Sequence, residues 1–174
     1  QVLINPGDDV LLVAPYWVSY SAIVILAEGN PIEIRSDIET DFKITPSQLE
    51  AAITPKTKLV MLNSPNNPSG SVYSKEEYEA LAEVLDKHPD IYVLSDEIYE
   101  HINYDNVSPF SFAAIPSMSG RTITVNGLAK AFAMTGWRIG YLGGPEWLAK
   151  ACTKIQGQVT SGTNCIAQRA AIVA

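Results

Sequence analysis

Short apolar runs alternate with amphipathic stretches along the chain, and that alternation predicts an α/β protein with a mainly parallel sheet sandwiched by helices. DVLLVA at residues 9–14 reads as a strand that Pro15 ends. Residues 17–27 read as a helix, stopped by Glu28, Gly29 and Asn30, and PIEIR at 31–35 reads as a second strand. Thr45-Pro46-Ser47-Gln48 predicts a capped helix start, with proline in the first helical position and Gln48 closing a capping box. KLVML at 58–62 is a buried strand. Ser74 and Glu77 form a second capping box, opening a helix to about residue 87 with Tyr78, Leu81, Ala82 and Leu85 on one face. Further strands are expected at 91–94, 122–125 and 138–142, then a long helix from Pro145 toward Gln156. QVLINPGD reads like the tail of a helix running into a turn, and AQRAAIVA like a helix cut in mid-course. There is no internal repeat, low-complexity tract or linker.

In parallel sheets of this kind, ligands collect at the carboxyl ends of the strands. KLVML runs into Asn63-Ser64-Pro65-Asn66-Asn67-Pro68-Ser69-Gly70, IYVL into Ser95-Asp96-Glu97-Ile98-Tyr99, and TITV into Asn126-Gly127-Leu128-Ala129-Lys130. An amide-rich turn, an acid with a tyrosine, and a lysine would converge on one rim. A desolvated lysine is a nucleophile toward carbonyls. An aspartate can hold a pyridinium nitrogen protonated, so that the ring becomes an electron sink. A tyrosine hydroxyl can bond a ring phenolate, and an arginine such as Arg138 can grip a phosphate. Each residue alone has a plainer reading: a surface lysine, a helix-capping aspartate, a packing tyrosine, an ordinary Asn-Pro-Ser-Gly turn, a core tryptophan.

Composition narrows the field. The 174 residues amount to one domain, 47% hydrophobic and 18% charged. A net charge of −7 argues against a nucleic-acid surface, which needs clustered Lys and Arg. Neither G-x-G-x-x-G nor G-x-x-x-x-G-K-[ST] occurs. Cys152 and Cys165 form no CxxC pair and read as two reduced, buried thiols of a cytosolic protein. His88 and His101 lack metal-ligand spacing and read as surface or loop residues, so no metal is expected. QVLINPGDDV lacks the pattern of a signal peptide, and Pro15 interrupts the apolar run at 10–27, which rules it out as a membrane span.

Order and context decide among these readings. SPNNPSG, SDEIYE and NGLAKAFAMTGWRIGYLGGP, with PGDDVLLVAPYWVSY before them, resemble the class I/II pyridoxal-phosphate-dependent aminotransferases of fold type I, and most nearly the bacterial-type aspartate aminotransferases. The resemblance covers essentially the whole chain. It implies the large cofactor-binding domain over residues 1–174, as a fragment lacking the first strand and helix and the C-terminal small domain. It implies that Lys130 is the Schiff-base lysine and proton carrier, that Asp96 binds the pyridine nitrogen, and that Tyr99 and Asn67 bond the ring O3′. By the same resemblance Asn67 also helps hold the substrate carboxylate, Trp17 stacks on the ring, and Arg138 binds the phosphate. Gly127 and Ala129 stand where many relatives carry a phosphate-binding serine; backbone N–H groups or Asn126 are the available replacements.

The activity so implied is transfer of an amino group between an L-amino acid, aspartate first, and a 2-oxo acid. The implied setting is a cytoplasmic homodimer, with the 174-residue chain inactive by itself. A fold type I lyase, decarboxylase or acyltransferase would use the same lysine and aspartate. A non-catalytic α/β binding module would need neither.

Overall fold

A computed structural model describes residues 1–104 and 109–174. Among the described residues six strands form one sheet: β1 (Asp9–Ala14), β2 (Asn30–Arg35), β3 (Thr57–Asn63), β4 (Tyr92–Asp96), β5 (Thr122–Gly127) and β6 (Gly140–Gly143). Their order across the sheet is β2-β1-β3-β4-β5-β6. The first five are parallel, and β6 is antiparallel to β5. The α-helices among these residues are α1 (Ser19–Leu26), α2 (Pro46–Ala52), α3 (Lys75–Leu85), α4 (Glu146–Val159) and α5 (Cys165–Ala171).

The continuous apolar runs follow from burial on both faces of a parallel sheet. Side chains alternate along a strand, so each strand feeds two cores. Leu11 and Val13 of β1, Val60 and Leu62 of β3, and Val93 of β4 meet Leu49 of α2 and Tyr78, Leu81 and Leu85 of α3. Val10, Leu12, Leu59 and Met61 face the other way and meet Tyr20 and Val24 of α1. A one-residue slip in register would exchange the two sets.

Both predicted capping boxes form. Thr45 accepts from the Gln48 amide and Ser74 from the Glu77 amide, with the reciprocal side-chain bonds in place. At the far end of α3, Arg121 replaces a C-terminal cap. Its guanidinium donates to the carbonyls of Leu85 (2.9 Å), His88 (2.8 Å) and Ile91 (3.3 Å), and to the Asp86 carboxylate (3.0 Å). The side chain is only 12% exposed. Arg121→Ala would leave those carbonyls short of a donor, and a loss of about 2–3 kcal/mol is expected, read as a shift in the denaturant midpoint at unchanged slope.

Some boundaries differ from expectation. Helix α1 starts at Ser19, which leaves Trp17 in the preceding loop. The strand expected at 138–142 starts at Gly140, because Arg138 has φ 56° and a left-handed residue cannot extend a strand. Residues 1–8 carry no helix; a turn closed by Asp8 accepting from the Asn5 amide occupies them, with Gly7 at φ 88°. The thiols are not both buried: Cys165 opens α5 on its exposed side, and Cys152 is half-buried.

Candidate functional site

From β1 the chain crosses to β2 on one side and returns to β3 on the other, so the strand order reverses between β1 and β3. A crevice opens at such a reversal, at the carboxyl ends of the strands. The loop after β1 carries Trp17 and the loop after β3 carries Asn67. Asn66 ties the two, donating from Nδ2 to the Pro15 carbonyl at 3.3 Å. Beside them, β4 ends on Asp96 and β5 runs out toward Lys130.

The side chains on this rim are connected. Asn67 Nδ2 donates to the Tyr99 hydroxyl at 3.3 Å. The Lys130 ammonium lies 5.6 Å from the centroid of the Tyr99 ring, within cation–π reach. Asp96 Oδ1 accepts from the Ile98 amide at 3.2 Å and Oδ2 from the Tyr20 hydroxyl at 2.5 Å. Tyr20 also meets the Trp17 ring edge-on, with centroids 5.8 Å apart. Asn63, at the end of β3, braces the arrangement: its oxygen accepts from the Asn67 amide at 2.8 Å, and its Nδ2 donates to the Asp96 carbonyl at 2.9 Å. Lysine, phenol, amide, carboxylate and an open indole therefore share one rim. That donor set has the chemistry that pyridoxal phosphate requires: an amine for its aldehyde, an acid for its ring nitrogen, and hydroxyl and amide donors for its phenolate.

Two of the six side chains stand apart from the rest. Lys130 is exposed, not desolvated, because it lies in the turn beyond β5 where Phe132 and Ala133 are exposed as well. Arg138 is not joined to the other five residues. It donates to the Thr135 carbonyl at 2.9 Å and lines a separate cavity of about 660 Å³ with Trp137, Gln156 and Asn164.

The glycine in the lysine segment has a packing reason. A Cβ on Gly127 would lie 2.8 Å from the Ile139 carbonyl oxygen and 3.1 Å from Gly140 Cα. The backbone leading into β6 passes too close for a serine. Nor does Asn126 replace that hydroxyl: it is buried, donates to Glu100 at 2.6 Å, and accepts from the Gly127 amide at 2.7 Å.

Tyr20 and Asn63 escaped the sequence reading. Three-residue spacing from Trp17 was the available signal for Tyr20; Asn63, the last residue of an apolar strand, offered none. Glu97 was also passed over. It is 7% exposed and accepts from Ser95 (2.9 Å) and Ser111 (2.8 Å) on the far side of the strand from Asp96. Burial pushes its carboxyl above the usual carboxylate range, and the two hydroxyls pull it partly back. A folded-state value above the unfolded one gives stability that is complete below the unfolded pKa and is lost as pH rises through the folded pKa. Glu97→Gln, whose amide oxygen can accept both hydroxyls, is expected to gain stability relative to the parent as pH rises from about 4 to 7. Denaturant melts across that range check it; parallel curves would exclude Glu97 as the source.

The fold and the rim define an aminotransferase scaffold, and sequence comparison agrees. The chain belongs to the aminotransferase class I and II family, whose sequence profile matches residues 1–174. It is 54% identical over 169 residues to an aspartate/prephenate aminotransferase of Nitrosomonas europaea, covering 97% of this chain and 43% of that protein. It is 51% identical over 170 residues to a bifunctional aspartate aminotransferase and glutamate/aspartate-prephenate aminotransferase of Petunia hybrida, covering 98% of this chain and 36% of that one. The crystal structure of the aspartate aminotransferase from Rhizobium meliloti superposes with a TM-score of 0.97 at 50% identity, over 99% of this chain and 43% of that one. The chain thus spans well under half the length of these relatives.

Proposed function

We propose that the protein is a pyridoxal-phosphate-dependent aminotransferase that exchanges an amino group between an L-amino acid, aspartate foremost, and a 2-oxo acid. The observation that carries the reading is the linked rim: Asn67 on the Tyr99 hydroxyl, Lys130 over the Tyr99 ring, and Asp96 on the neighbouring strand. Family membership supports it and weighs against a fold type I lyase, decarboxylase or acyltransferase.

When bound, pyridoxal phosphate supplies a ring that accepts the electron pair left on the amino acid's α-carbon. Lys130 would hold the cofactor covalently through its amine, and the same amine, when free, would be the group that moves the proton between the amino acid's α-carbon and the cofactor's C4′. Asp96 would bind the ring nitrogen and keep its proton in place. Tyr99 and Asn67 donate to O3′, Asn67 also steadies the substrate carboxylate, and Trp17 covers the ring face. Arg138 takes the phosphate in this reading, which requires its side chain to leave Thr135.

Aspartate with 2-oxoglutarate is favoured by resemblance, and the relatives' names add prephenate as a second oxo acid to try. A homodimer in the cytoplasm belongs to the same reading, by resemblance. Among the described residues no helix is long and apolar enough to cross a membrane. Borohydride reduction after adding pyridoxal phosphate to the full-length protein should leave a pyridoxyl group on Lys130, located by peptide mass. An adduct elsewhere, or none, removes the assignment. A panel of amino acids against both oxo acids then fixes the substrate.

A further inference from the structure

Asp96 has two oxygens and two donors on them, and one of the donors is a side chain outside the set of residues assigned above. The Ile98 amide is a donor that any residue at that position would supply. The Tyr20 hydroxyl reaches across from α1, 76 positions away in the chain, to bond Oδ2 at 2.5 Å. Tyr20 is 5% exposed, and its ring lies between Tyr16 (centroids 6.3 Å apart, near-parallel) and Trp17 (5.8 Å, edge-on). So fixed, the hydroxyl has a single direction. Burial, and next the charge of Asp96, push the phenol far above its ordinary range, so it stays protonated and acts toward Asp96 as a donor. A donor on each carboxylate oxygen fixes the plane of the group.

We propose that Tyr20 is a positioning residue that acts through Asp96, holding its carboxylate in the orientation that receives the ring nitrogen of pyridoxal phosphate. The proposal rests on the function proposed above. It differs from a packing role in one respect. The Tyr20 hydroxyl matters only to a ligand that has something for Asp96 to bind. It also joins Trp17 to Asp96, so the residue expected on the ring face and the residue expected at its nitrogen share one support.

The test uses Tyr20→Phe in the full-length protein, which keeps the ring and removes the hydroxyl, and two probes: pyridoxal phosphate, and its deaza analogue with carbon in place of the ring nitrogen. Dissociation constants are read by equilibrium titration. Tyr20→Phe should weaken pyridoxal phosphate roughly tenfold, the size expected for a hydrogen bond to a charged group, and leave the deaza analogue unchanged within about twofold. In an Asp96→Ala background Tyr20→Phe should have no further effect on pyridoxal phosphate, the signature of two residues acting as one unit. Equal weakening of both probes, or of neither, overturns the proposal. A Tyr20→Phe protein that no longer folds overturns it as well, by assigning the hydroxyl to stability. Failure of the underlying reading is a separate result: the parent itself would then yield no reducible adduct on Lys130.

Discussion

Lys130→Ala in the full-length protein is expected to lose transaminase activity by roughly four orders of magnitude while melting where the parent melts. The first half follows from the two tasks assigned to one amine. Among the described residues of this rim Lys130 is the amine placed for covalent capture of the cofactor, and a positioned acid–base group alone contributes about 10²–10⁴-fold. The second half follows from where Lys130 sits. It is exposed beyond β5, with its ammonium 5.6 Å from the centroid of the Tyr99 ring. Removing an exposed cation–π contact costs about 0.5–1 kcal/mol. Steady-state rates with aspartate and 2-oxoglutarate, set beside a denaturant melt without cofactor, separate the two. A large loss of stability would mean that Lys130 belongs to the fold. Retained activity would mean that another amine does the chemistry.

The position of Lys130 was legible in the sequence. It stands at the end of a strand whose pattern is unambiguous, and strand ends are where chemistry gathers in parallel sheets. Asn67, Asp96 and Tyr99 were legible for the same reason: each follows an apolar run that could only be a buried strand. The capping boxes at Thr45 and Ser74 were legible because their signal is local. What stayed hidden depends on distant partners. Tyr20 meets Asp96 across 76 positions, and within its own segment it is one more aromatic in PYWVSY. Arg121 caps α3 from 33 to 36 positions away, through carbonyls that every residue carries. Gly127 could be read only as a missing serine, since the backbone that excludes a side chain there belongs to residues 139 and 140. Arg138 was placed in a strand because GWRIGYL alternates well. Its left-handed φ ends that strand early and turns the guanidinium back onto Thr135.

Asp96→Asn is expected to behave in the opposite way to Lys130→Ala, losing activity and stability together. The activity loss is roughly 10²–10³-fold, the usual cost of removing one preorganised electrostatic partner from a reacting centre. The neutral amide can no longer hold the ring nitrogen's proton against the developing charge. The stability loss comes from counting acceptors. Asp96 offers two oxygens, one to the Ile98 amide and one to the buried Tyr20 hydroxyl. Asparagine offers one acceptor oxygen and an NH₂ group, so one of the two donor hydrogens loses its acceptor. An unsatisfied buried polar group costs about 1–3 kcal/mol, and for a hydroxyl as enclosed as that of Tyr20 the upper part of that range is expected. Asp96→Asn combined with Tyr20→Phe removes the surplus donor, and the double variant should regain most of the lost stability while activity stays low. Melting curves and steady-state rates on the two single variants and the double variant check it. Recovery of both quantities together would show that Asp96 holds the end of β4 and has no part in the chemistry. Recovery of stability alone would mean that the carboxylate is kept for its charge, at a position where an uncharged residue can be made to fit.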